Sequence, residues 1–97
     1  MFVVTVRFTT APADHAAFLS LITRNAAQSL ALEPGCQRFD VCTGQPGTIF
    51  LYELYDDVGA FEIHKTMEHF LEFDRVSAPL VTGKSVTIYR LEPAATA

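Results

Sequence analysis

Residues Ile49 to Phe70 read IFLYELYDDVGAFEIHKTMEHF, and this stretch decides the fold. Ile49 to Tyr55 is rich in aromatic and β-branched residues and has no Gly or Pro, so it reads as a strand. Asp56-Asp57 suit a helix N-cap and the positive end of a helix dipole. Val58, Phe61, Phe70 and Phe73, with Leu71 beside them, then recur at helical spacing. The helix so predicted carries two of the three histidines, His64 and His69, with Lys65 between them. An aromatic strand, an acidic turn and a histidine-bearing helix make one wall of a small-molecule pocket.

Working backwards from this strand, Cys36 to Thr43 is a second strand, joined to it by the hairpin loop Gly44-Gln45-Pro46-Gly47. Pairing Thr43 with Thr48 sets Val41 opposite Phe50 and Phe39 opposite Tyr52, all on one face with Leu54. The other face then carries Arg38 opposite Glu53, which explains Glu53 as a cross-strand ion pair. A loop one residue longer or shorter exchanges the two faces. Further back, Ala13 to Leu32 places Phe18, Leu21, Ile22 and Leu30 on a helical stripe, closed by Glu33-Pro34-Gly35. Asn25 and Ser29 are the uncharged hydrogen-bonding side chains beside that stripe. They are either pocket donors or a helix flank wetted by solvent. Phe2 to Phe8 alternates as a strand, with Phe2, Val4, Val6 and Phe8 on its apolar side.

Forward of Phe70, Pro79 and Gly83 break Asp74 to Lys84 into a short helical turn and a loop, and Ser85 to Leu91 alternates as a fourth strand. The order is βαββαβ, an α+β, ferredoxin-like arrangement with a four-stranded antiparallel sheet and helices on one face. One domain spans 1–92, and 93–97 form a frayed tail. The face carrying Val3, Ile49, Leu51 and Tyr55 is left uncovered, which predicts a homodimer interface.

Composition narrows the partners. Of 97 residues, 49% are apolar and 19% charged, the profile of a globular domain. A net charge of −4 with no Lys/Arg cluster excludes nucleic acid and anionic membrane surfaces. No apolar run reaches the roughly 20 residues of a membrane span, and MFVVTVRF lacks the basic start of a signal peptide. Cys36 and Cys42 read as reduced thiols of a cytoplasmic protein.

The chemistry is then chosen by elimination. His64 and His69 are five apart and diverge by about 140° on one continuous helix, so they make no ligand pair. No phosphate loop and no Gly-x-Ser-x-Gly elbow is present. A mostly apolar pocket remains at the helix–sheet interface, with Phe18, Ile22, Phe39, Phe50, Tyr52 and Phe61 as its lining. His64, three residues after Phe61, lies at the edge of that lining with a side chain able to take a proton near neutral pH. Ser29 is a further candidate substrate contact. So is His69, although capping or solvent exposure is its plainer reading, and for His15 exposure alone.

The run from Glu33 to Val41 (EPGCQRFDV), then Tyr52 to Asp57 (YELYDD), then His64-Lys65-Thr66 and His69-Phe70, resembles the antibiotic biosynthesis monooxygenase (ABM) domain, and within it the quinol monooxygenase branch. The resemblance extends from about Phe2 to Leu91. It implies a dimeric α/β barrel that oxidises phenols or quinols with dioxygen and without metal, flavin or haem. It also places Asn25, Tyr52 and His64 at the pocket. Tyr55 stands where many relatives have Trp, and the haem-degrading branch needs a Trp and a first-strand Asn that this chain lacks. A second relative, an isomerase of a phosphorylated quorum-sensing signal, shares the Tyr-Glu-x-Tyr strand and the His-Lys-Thr triplet. That reading requires two of Arg7, Arg38, Lys65 and Arg90 at the pocket. A binding module without turnover is the third reading.

Overall fold

The computed structural model describes residues 1–96; Ala97, the end of the expected tail, lies outside the described residues. Its elements are β1 (Phe2–Thr10), α1 (His15–Leu32), β2 (Cys36–Thr43), β3 (Thr48–Tyr55), α2 (Val58–His64), α3 (Glu68–Ser77) and β4 (Val81–Arg90). Single 3-10 turns, Pro12–Asp14 and Ala78–Leu80, precede α1 and β4. The strands form one antiparallel sheet in the order β2-β3-β1-β4. This is the ferredoxin-like βαββαβ fold expected from the sequence. β4 begins earlier than expected because Pro79 is accommodated in the 3-10 turn and Gly83 within the strand, where a Cβ would stand 2.6 Å from Thr9 Oγ1.

The hairpin register differs from the expected one by a single residue. Thr43 pairs with Ile49, Val41 with Leu51 and Phe39 with Glu53. Thr48 accommodates the shift: it exchanges hydrogen bonds with the turn, its N–H to the Gln45 carbonyl and its own carbonyl to the Gly44 N–H. Gly47 holds a positive φ of +90°, and its N–H donates to His15 Nδ1 at 2.8 Å. His15 is thus a latch on the hairpin rather than a solvated side chain.

Because side chains alternate along a strand, the slip exchanges the faces. Ile49, Leu51, Glu53 and Tyr55 face the helices and are buried, together with Val4, Val6 and Phe8 of β1. Phe18, Ile22 and Ala26 of α1 pack on them, with Phe73 of α3. Leu30 instead lies on the exposed side of α1. Phe50, Tyr52 and Leu54 project from the opposite face, alongside Val3, Thr5 and Arg7. Ile49, Leu51 and Tyr55 are therefore core, and of the residues expected on the uncovered face only Val3 is there.

Candidate active site

The helix expected to run through both histidines is two helices. Asp57 caps the first as its sequence predicts, its Oδ1 accepting from the Ala60 N–H at 2.8 Å. The helix stops at His64 although no Gly or Pro is present. Thr66 returns its hydroxyl to the Ile63 carbonyl at 2.7 Å, a local bond that competes with helix continuation. Met67 is extended, and Glu68 opens α3 at the favourable end of its dipole. The bend cancels the divergence that a straight helix would impose on His64 and His69.

Both histidines turn to the same carboxylate. Glu33 Oε2 lies 2.8 Å from His64 Nδ1 and 2.5 Å from His69 Nε2, and all three side chains are buried. Among the described residues these three are also the set able to hold a metal ion, their donor atoms all within 4.8 Å of one another. The contacts are of hydrogen-bond length, shorter than the roughly 3.3 Å that separates two ligands at zinc bond lengths around a tetrahedral ion. They describe two imidazole N–H groups donating to one carboxylate. His64 is thereby fixed as the Nδ1–H tautomer, with Nε2 its basic nitrogen.

The His64 ring is enclosed by aromatic rings: Phe70 at 5.0 Å between centroids, Tyr55 at 5.5 Å, Phe39 at 5.9 Å and Phe61 at 6.2 Å. Burial in this box holds its pKa below the ordinary value of 6.5, Glu33 opposes that shift and His69 adds to it. The imidazole is therefore a free base at neutral pH.

His64 lines a cavity of about 260 Å³ between the sheet and the helices. The cavity walls are largely apolar, with Phe39, Phe61, Phe70 and Phe73 among them; the polar groups are Asn25, Glu53, His64, Lys65 and Lys84. Asn25 is 2% exposed and its Oδ1 has no hydrogen-bond partner among the described residues. Of the residues predicted for the site, the fold brings together Ile22, Asn25, Phe39, Phe61 and His64, while Phe18 packs in the core without lining the cavity. Phe50 and Tyr52 are on the other side of the sheet, a consequence of the register. Ser29 is buried but gives its hydroxyl to the Asn25 carbonyl at 2.8 Å, inside the helix. His69 supports Glu33 without lining this cavity.

Three polar residues of the site stand outside the sequence expectation. The sequence presents Glu33 only as helix punctuation, yet an acid at the negative end of a helix dipole is a signal that it has a partner elsewhere. The cross-strand ion pair expected between Glu53 and Arg38 does not form: Arg38 pairs with Asp40 at 2.6 Å and Glu53 is buried. Glu53 Oε1 instead accepts from Tyr55 Oη at 2.5 Å. Desolvation raises its pKa to about 7; Tyr55 and Lys84 lower it and Glu33 adds to the rise. Lys84 is the third. Of the four cations weighed for a phosphate, only Lys65 is at the cavity; Arg7 is on the opposite face, and Arg90 pairs with Glu92 at 2.6 Å.

The sequence profile of the antibiotic biosynthesis monooxygenases matches residues 1–76. Among solved structures, one from Nitrosomonas europaea named for that family is 28% identical, with a TM-score of 0.88, covering 93% of this chain and 97% of its own. A Pseudomonas aeruginosa structure is 26% identical over 94% of both chains, with a TM-score of 0.85. One from Deinococcus radiodurans, named for the same family, shares the fold with a TM-score of 0.88 at 22% identity, covering 100% of this chain and 98% of its own. The chain belongs to the antibiotic biosynthesis monooxygenase family.

Proposed function

We propose that this family member is a cofactor-independent monooxygenase that oxidises a small phenol or quinol with dioxygen. The observation that carries the reading is the contact of His64 Nδ1 with Glu33, which leaves His64 a neutral base lining an aromatic cavity. A phenol of pKa near 10 is ionised only about one part in a thousand at pH 7, so a positioned base raises the concentration of the reactive anion. His64 Nε2 takes the hydroxyl proton, and the electron-rich phenolate reduces dioxygen directly. Asn25 offers an amide that accepts from a substrate hydroxyl and donates to a developing oxyanion. Phe39, Phe61, Phe70 and Phe73 keep the reacting carbon dry.

The test is oxygen uptake by purified protein against a panel of quinols, naphthols and phosphorylated sugars. Uptake with a quinol or naphthol, reduced about 10²–10⁴-fold in His64→Ala, supports the reading. Conversion of a phosphorylated sugar without oxygen uptake refutes it in favour of the isomerase, for which Lys65 and Lys84 supply the cations. Binding without turnover refutes it in favour of a binding module.

The same reading includes a homodimer, now through the face of Val3, Phe50, Tyr52 and Leu54. Phe50 is 36% exposed, and no helix among the described residues covers that face. No helix among the described residues is long and apolar enough to cross a membrane.

A further inference from the structure

We propose that Glu53 is a second proton-transfer group of this cavity, a general acid facing the substrate from the sheet while His64 faces it from the helices. The inference deepens the monooxygenase reading and rests on it. Glu53 is the one carboxylate among the described residues lining the cavity. Its neighbours on the same face of β3, Ile49, Leu51 and Tyr55, are core, and its strand partners Val4 and Phe39 are apolar and buried. Packing gains nothing from an acid there, because an unpaired buried carboxylate is unfavourable where an apolar side chain would fit. One oxygen, Oε1, takes the Tyr55 hydroxyl, and this fixes how the group is presented to the cavity.

The charged and titratable groups around it come from five elements. Tyr55 lies on its own strand, and Cys36 on β2 is a thiol pushed up to about 12 by burial and by the two nearby acids. Glu33, at the end of α1, repels the Glu53 anion, and Lys84 on β4 attracts it. His64 on α2 shares the cavity. The balance leaves Glu53 about half protonated at pH 7, with a proton to give.

Oxidation of a phenol to a quinone by dioxygen releases one water, and its two hydrogens come from the substrate O–H and C–H. His64 takes the O–H proton. The phenolate carbon and dioxygen then form a C–O bond, giving a peroxide anion. Glu53 protonates its outer oxygen. The C–H proton passes to the Glu53 carboxylate as the O–O bond breaks, the carbonyl forms and hydroxide leaves. Protonated His64 converts that hydroxide to water, and both groups end as they began. The former C–H carbon has lost three electrons and the former C–OH carbon one, matching the four that reduce dioxygen.

The experiment measures kcat and KM against pH for wild type, His64→Ala, Glu53→Gln and Tyr55→Phe, using the naphthol or quinol found by oxygen uptake. Wild type is expected to lose kcat above about pH 7 as Glu53 ionises. Glu53→Gln should lower kcat by roughly 10²-fold with KM little changed, and the alkaline decline should vanish. Tyr55→Phe keeps the acid but removes a bond that favours its anion. The alkaline decline in its kcat should move to higher pH. Suppose His64→Ala is inactive, while Glu53→Gln keeps full turnover or the decline is unmoved in both sheet variants. The assignment of Glu53 then fails and the monooxygenase reading survives. If no quinol or naphthol is oxidised, or His64→Ala is as active as wild type, the reading fails and the inference with it. Should Glu53→Gln not fold by circular dichroism, the shift in Tyr55→Phe decides.

Discussion

Glu53→Gln also carries a stability prediction that needs no substrate. The carboxyl ordinarily titrates at 4.5 and in the fold near 7. Below pH 4.5 it is protonated in both the folded and the unfolded chain, so burial is not opposed by charge. Between 4.5 and 7 the unfolded chain ionises first, and folding must hold a proton that water would release. The favourable contribution is therefore complete at low pH and is lost as pH rises through the folded value. A displacement from 4.5 to about 7 corresponds to roughly 3 kcal/mol at about 1.36 kcal/mol per pH unit. That is a large share of the roughly 5–15 kcal/mol by which single domains are stable. Glutamine has similar shape, can accept from Tyr55 and does not titrate. Relative to wild type, Glu53→Gln should therefore gain roughly 3 kcal/mol between pH 4.5 and pH 8. His64 opposes this trend, since its lowered pKa favours folding as pH rises towards 6.5, but it is present in both proteins and cancels in the difference. Urea unfolding at four pH values across this range supplies the measurement. A difference between the two proteins that stays constant with pH would refute the claim that the fold keeps this carboxyl protonated.

Other perturbations separate the remaining claims. Glu33→Ala leaves two buried imidazole N–H groups without an acceptor and should destabilise the fold by roughly 3 kcal/mol in urea unfolding; Glu33→Gln, which keeps one acceptor, should lose less. Turnover of wild type should rise with pH along a limb lying below 6.5, because burial lowers the His64 pKa and the free base is the active form; initial rates of oxygen uptake from pH 4.5 to 6.5 check this. Phe50→Glu should give folded monomers by light scattering, whereas Leu51→Glu, one residue on and 2% exposed, should unfold the chain.

Much of the fold was legible because its signals are local. Alternation in Phe2 to Phe8, the Asp57 cap and the Pro-Gly stop after Glu33 each depend on neighbours within a few residues. The hairpin register depends on how a loop closes, and its outcome turns on where Thr48 bonds. Moving Thr43 from Thr48 to Ile49 sends Phe50 and Tyr52 out of the cavity and brings Glu53 in. It also moves the uncovered face from Leu51 and Tyr55 to Phe50 and Leu54. One hydrogen-bond choice in a turn thus changes both the site and the interface, and the composition of either face alone did not disclose it. Both alternate faces of β3 are largely apolar; Glu53 is the exception, and its burial became intelligible only with the register.

The His64–Glu33–His69 cluster was hidden for a different reason. Spacing rules for two histidines assume one helix axis, and five residues on one axis direct them apart. Thr66 and Met67 divide that axis without the Gly or Pro that usually marks a break, so the convergence is a property of two short helices and not of the intervening residues alone. The third member is 31 residues from His64 and 36 from His69, beyond any local pattern. The arrangement also explains a local conflict. An acid at the end of α1 is unfavourable to the helix dipole, and His64 is unfavourable to charge when buried. Each is made acceptable by the other: the imidazole N–H groups both donate to one carboxylate oxygen, Oε2, and the carboxylate selects the tautomer that leaves Nε2 basic. Two features that weaken the chain locally combine into a free base in the cavity poised to take the substrate's O–H proton.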